Sequence, residues 1–175
     1  GIRIAGTANR VQGNLIGTDR SGTRALRNDV ENVEIVGDDN TVGGDVAGAR
    51  NVIGNAVAGL AITGKGNVVQ GNFIGTDVTG TLDLGSGNGV QINAGALNNT
   101  IGGIATRPGT APGNVISSNH LHGVVILAGA TGNLVQGNII GLSSDVNTVL
   151  AGTHTQYGVL TATAITGVTI GGTAP

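Results

Sequence analysis

The chain has 175 residues, of which 34 are Gly, and its aromatic content is reduced to Phe73 and Tyr157. A formal charge of −2, with no basic stripe and no stacking aromatics, excludes a nucleic-acid footprint. The absence of Cys removes disulfides, thiolate metal sites and a cysteine nucleophile.

Collagen is excluded by the lack of a Gly-X-Y period and by only three Pro. No stretch has the layout of a signal peptide, and no run of apolar residues is long enough for a membrane span. Hydrophobicity comes from Val, Ile, Leu and Ala, which with abundant Gly favours repetitive β-structure over a helical globule.

A repeat runs from the first residue. The pattern of two spaced apolar residues followed by Asn and another apolar residue appears at "GIRI…NRV" (1–4, 9–11), "NVEI…NTV" (32–35, 40–42) and "GLAI…NVV" (59–62, 67–69). It returns at "GVQI…NTI" (89–92, 99–101), "GVVI…NLV" (123–126, 133–135) and, more weakly, "GVLT…VTI" (158–161, 168–170). One column holds the pairs Ile2/Ile4, Val33/Ile35, Leu60/Ile62, Val90/Ile92, Val124/Ile126 and Val159/Thr161, whose two-residue spacing puts both members on one face of a strand. A second column is Val11, Val42, Val69, Ile101, Val135 and Ile170, and a third is Ile16, Ile53, Ile74, Ile116 and Ile140.

Three short strands per turn, recurring at roughly 27–35 residues, predict a parallel β-solenoid. The fold expected is all-β, about five and a half coils at residues 1–31, 32–58, 59–88, 89–122, 123–157 and 158–175. At a strand spacing of about 4.8 Å the rod is about 26 Å long. The chain opens inside the pattern, so it reads as one solenoid segment excerpted from a longer protein.

Asparagines also form columns. Asn9, Asn40, Asn67, Asn99 and Asn133 fall at one corner of the coil, and Asn14, Asn51, Asn72, Asn114 and Asn138 at another. Asn tolerates left-handed turn geometry, and stacked amides can bond one coil to the next. Their expected role is therefore structural.

Two coil types alternate. Odd coils run through "VQGN" and then loop outward, as in "GTDRSGTRALRND" (17–29) and "GTDVTGTLDLGSGN" (75–88), whereas even coils loop earlier, as in "GGDVAGAR" (43–50) and "GGIATRPGTAPG" (102–113). The third odd copy, "NLVQGNIIGLSSD" (133–145), loses the Gly-Thr-Asp ending. Pro108, Pro112 and Pro175 fall in loops, where a missing N–H harms no ladder, and the final "GGTAP" resembles the start of another even-type loop.

"NVVQGNFIGTD", "NNTIGG", "GNVISSN" and the spaced "GVQI" and "GVVI" segments resemble the right-handed parallel β-helix repeat regions of secreted and surface bacterial proteins, the pectate-lyase-like superfamily. The resemblance spans essentially the whole chain. It implies a right-handed coil and a secreted or cell-surface location, and it names polysaccharide as a partner class. It does not choose an activity, because this scaffold hosts enzymes, adhesins and inert stalks.

Candidate chemistry is sparse. The outward residues of the first strand are Arg3, Glu34, Ala61, Gln91, Val125 and Leu160, and Arg3 with Glu34 is expected to form a cross-strand ion pair. Asp29, Glu31, Glu34, Asp38, Asp39 and Asp45 make the densest acidic run, with Ca²⁺ as a lesser reading than a solvated edge. Asp19 and Asp77 occupy equivalent loop positions and are read first as turn residues, although paired acids at that reach could serve glycoside hydrolysis. His120 and His122 are read as loop decoration without a third metal ligand, and His154 stands alone. Thr18/Thr76 and Thr23/Thr81 begin an ice-binding array that the third copy breaks.

No catalytic, cofactor or metal residue is assigned. The expected function is a structural repeat module, a rigid stalk or adhesive spacer of an exported or cell-surface bacterial protein. The alternative is part of a carbohydrate-active β-helix enzyme, a polysaccharide lyase or hydrolase, or a glycan-binding protein. Unpaired strand edges at the coil ends also predict head-to-tail self-association.

Overall fold

The computed structural model describes residues 1–107, 109–150 and 156–172. Each coil carries three short strands, and each strand pairs in parallel with its counterpart in the coils before and after. The first sheet stacks Ile2–Ile4, Glu31–Ile35, Ala58–Ile62, Asn88–Ile92, His122–Ile126 and Tyr157–Thr161. The second stacks Arg10–Val11, Thr41–Gly43, Val68–Gln70, Thr100–Gly102, Leu134–Gln136 and Thr169–Ile170. The third stacks Leu15–Ile16, Val52–Ile53, Phe73–Ile74, Val115–Ile116 and Ile139–Ile140. The chain is thus an all-β parallel solenoid of about five turns with three strands per coil.

Register follows the apolar columns residue for residue. Val33 pairs with Leu60, Leu60 with Val90 and Val90 with Val124, while Ile35, Ile62, Ile92 and Ile126 form the next row. Val42, Val69, Ile101 and Val135 line the second sheet, and Ile53, Ile74 and Ile116 the third. All of these side chains point into one continuous core and are almost wholly shielded from solvent. β-Branched residues suit this position because they pack on the pleated surface with little rotamer freedom to lose.

A second, smaller cluster lies on the outer face of the third sheet. Phe73, Val115 and Ile139 are buried there with Leu142 against them, although they are the outward members of their strands. The loops cover them. Even-coil loops lean over one side through Gly71 N–H to Pro112 O (2.9 Å). Odd-coil loops stack on one another across the intervening even coil, through Val78 N–H to Gly22 O (3.0 Å) and Ser144 N–H to Gly80 O (2.9 Å).

The third odd loop survives its change of sequence. The antiparallel bridges Thr18 to Ala25 and Thr76 to Asp83 recur as Leu142 to Val149. The turn bonds recur too: Asp19 N–H to Arg24 O, Asp77 N–H to Leu82 O, and Ser143 N–H to Thr148 O. Loss of Gly-Thr-Asp therefore does not mean loss of the loop.

Two further expectations change. His122 is not a loop residue: it begins the strand His122–Ile126 and stacks on Tyr157, with ring centroids 5.6 Å apart. The left-handed residue at the first asparagine corner is not the column Asn but the one before it, namely Ala8, Asp39, Gly66, Asn98 and Gly132 in successive coils. The Asn side chain is thereby aimed along the stack while its predecessor makes the bend. Pro108, His154, Pro175 and the "GGTAP" loop beyond Gly172 lie outside the described residues.

Candidate functional site

The corners are where backbone groups leave the sheets, and there the asparagines act. Each amide of the first column donates to the side-chain oxygen of the next coil: Asn9 to Asn40 (3.0 Å), Asn40 to Asn67 (3.1 Å), Asn67 to Asn99 (3.0 Å) and Asn99 to Asn133 (3.0 Å). The same oxygens accept the backbone N–H of the preceding Asn at 2.8–2.9 Å. The second column repeats the arrangement through Asn14, Asn51, Asn72, Asn114 and Asn138. Amides also reach back to the preceding coil, as Asn72 does to Val42 O and Asn114 to Val69 O, both at 2.9 Å. An interior asparagine thus links three successive coils.

The third corner has a mixed polar column that the repeat does not announce. Ala56 N–H donates to Ser86 Oγ (3.2 Å), and Ser86 N–H donates to Asn119 Oδ1 (3.4 Å). Buried Asn32 serves the first turns of the same corner, bonding Gly54 O. Odd-coil loops are inserted here, so the spacing varies and no column is visible in the sequence. The recurring "SGN" and "SSN" are the only signal.

The odd loops are organised by a carboxylate and a hydroxyl. Asp77 is buried and accepts bonds from the N–H groups of Leu82 and Thr81, both at 3.0 Å, and from Thr79 Oγ1 at 2.7 Å. Burial by itself would push its carboxyl up, but these donors outweigh burial and hold it below its ordinary 3.8. Asp19 is held low chiefly by the Ser21 hydroxyl, with help from the N–H groups of Thr23 and Arg24. In the third loop the two partners exchange places, and the Ser143 hydroxyl donates to Asp145, which is held low in turn. Asp19 and Asp77 are each turned into their own loop.

The remaining acids disperse. Arg3 Nε bonds Glu34 Oε2 at 2.7 Å in the expected exposed ion pair, which contributes roughly 0.2–1 kcal/mol. Asp38 accepts Lys65 N–H across the corner at 2.8 Å, while Asp29 and Asp45 point to solvent. Among the described residues no three of His, Cys, Asp and Glu come together, and no helix is long and apolar enough to cross a membrane.

Two outer faces present chemistry. On the first sheet, Asn88 Nδ2 donates to Gln91, Gln91 Nε2 to Asn93 and Asn93 Nδ2 to Thr63 Oγ1, at 2.8–3.2 Å. This amide row lies beside His122 and the Tyr157 ring, which is 56% exposed. On the third sheet, a cleft of about 490 Å³ opens between the two loop stacks, with Phe73 at its floor and Arg50 over the ring.

Phe73 stands out in the sequence only as one of two aromatics, and Arg50 not at all, although the repeat carries a signal for both. The residue before each second-column Asn is Gly13, Arg50, Gly71, Gly113 and Gly137 in turn, and the outward third-strand residue is Leu15, Val52, Phe73, Val115 and Ile139. Gly71 is left-handed at φ +70°, as is Gly13, but Arg50 enters the corner at φ −60° because the 3₁₀ turn Ala47–Ala49 precedes it. An ordinary φ admits a side chain there. Burial pushes the guanidinium pKa below its ordinary value.

Replacing Asn67 by Ala removes the acceptor of Asn40 N–H inside the stack. It is expected to cost about 1–3 kcal/mol or more in urea unfolding, whereas Asn9→Ala at the first coil costs less. Because the Asp77 pKa is lower folded than unfolded, its stabilisation is fully present above pH 3.8 and is lost as pH falls through the folded value. Asp77→Asn should therefore lower stability at neutral pH and flatten its fall in acid, measured by urea midpoints across that range.

No family model, curated protein or solved structure matches the chain.

Proposed function

We propose that this chain is a structural repeat module, a rigid stalk or adhesive spacer of an exported or cell-surface bacterial protein of the pectate-lyase-like, right-handed β-helix kind. The observation that carries the reading is the continuity of the two asparagine ladders, which join five successive coils without interruption. A solenoid so built gains stability coil by coil, and its length can change without altering the design of any one coil.

A second reading, a glycan-binding face, is favoured by the amide row beside the exposed Tyr157 ring, since planar amides and an aromatic face suit sugar hydroxyls and C–H groups. The residues for Ca²⁺ or for polysaccharide cleavage are not assigned under either reading.

One variant separates the two. Deleting residues 58–121 removes a pair of coils in register, joining Val57 to His122 and shortening the rod by about 10 Å. As a spacer, the shortened chain still folds and unfolds cooperatively, and its parent protein binds polysaccharide as before while its display and adhesion fall with the lost length. If it folds and keeps display and adhesion but loses polysaccharide retention, the spacer reading fails and the glycan-binding face takes its place.

Head-to-tail stacking belongs to the same proposal. Among the described residues the edge strands Ile2–Ile4 and Tyr157–Thr161 pair on one side only, and such edges accept another strand. The isolated segment is expected to sediment at increasing mass as concentration rises. A monomer at every concentration would remove this part of the reading.

A further inference from the structure

A repeat provides its own control: what the coil requires recurs at every turn, and what appears once is free for another purpose. Arg50 stands where the four other copies have Gly, and Phe73 is the single aromatic in a column of aliphatic residues. The two meet. The Arg50 guanidinium carbon lies 3.9 Å from the Phe73 ring centroid, and its Nε donates to Gly71 O at 3.2 Å.

Arg50 also lines the cleft. Among the described residues the one ion pair is Arg3 with Glu34, so the half-buried cation of Arg50 has no carboxylate partner. None of the described residues lining the cleft is acidic, and the Asp77 carboxylate is turned into its own loop. An unpaired charge withdrawn from water is a costly arrangement that an anion relieves. Arginine offers a planar fork of N–H donors suited to two oxygens of one group.

The walls are held in place before anything binds. On one side Arg50 is fixed between the 3₁₀ turn and ladder residue Asn51, whose N–H bonds Asn72 Oδ1 at 3.2 Å. On the other, Ser144 Oγ donates to Thr79 O at 2.9 Å and Val78 N–H to Gly22 O at 3.0 Å. Val78 adds an apolar patch, while the Thr79 hydroxyl is committed to Asp77 and the Thr110 hydroxyl to Arg107 O, which leaves the Arg50 guanidinium as the charged donor of the lining.

We propose that this cleft binds an oxyanion, a carboxylate, sulfate or phosphate group, with Arg50 as the charge that receives it and Phe73 as the support that orients Arg50. The proposal does not rest on the spacer reading. A spacer can carry such a site, and the site accounts for two residues that the spacer does not need.

The test is a titration of the ¹⁵N-labelled chain at constant ionic strength with sodium acetate, sodium sulfate or sodium phosphate, read by two-dimensional NMR. At least one of these anions should give saturable shifts at Arg50 Nε–H and at the amides of Gly71, Thr79 and Ser144. Arg50→Gln should weaken that binding at least about tenfold while leaving distant resonances in place. Arg50→Lys keeps the charge without the fork and should bind between the two, which preserves the test if the Gln variant does not fold. The proposal is overturned if none of the anions saturates, if Arg50→Gln binds as tightly as the parent, or if the shifts gather at exposed Arg10 or Arg24 instead.

Discussion

Everything in this molecule depends on satisfying backbone groups at the corners of a coil whose interior is aliphatic. A strand pairs its N–H and C=O groups with the coils on either side, but at a bend those groups turn out of the ladder while remaining shielded from water. Asparagine solves the problem with one side chain. Its oxygen accepts both the N–H and the amide of the preceding column member, and its own amide donates onward. Because each asparagine completes the hydrogen bonding of a neighbour, the column is consistent only as a whole, and the solenoid inherits that coupling along its axis.

With two corners tied in this way, insertions occur where they leave the ladders intact: after the second strand in even coils and after the third in odd coils. Alternation then has a geometric consequence. Loops of one type lie two coils apart with an uninserted corner between them, and they bend together across it, as Val78 does to Gly22 and Ser144 to Gly80. The outward face of the third sheet thereby gains two walls, and residues that alternation alone would leave in water become a second small core. The cleft over Phe73 is a product of this arrangement.

The carboxylate loops show how a local rule can be kept while its letters change. Asp77 with Thr79 and Asp19 with Ser21 become Ser143 with Asp145, and the turn persists because the hydrogen bond needs one donor and one acceptor in either order. The low carboxyl pKa values follow from donors that stabilise the ionised form, which is a structural consequence. Arg50 is different in kind: its charge has no counterpart in the repeat.

The sequence alone determined the coil. Two-residue spacing in pairs such as Leu60/Ile62, one apolar residue per second strand, and asparagines in two columns specify which side chains face inward and which coils are neighbours, because strand period and repeat period are both short-range properties. It also made Arg3 and Glu34 legible as cross-strand partners. The tertiary structure decided what distant loops do to one another. Nothing local to "GARN" or "GNFIG" tells that Arg50 lies over Phe73, since their contact depends on a 3₁₀ turn in one coil and a strand in the next. The third corner was hidden for the same reason, its partners Ala56, Ser86 and Asn119 being brought into line only when loops of unequal length are folded out of the stack.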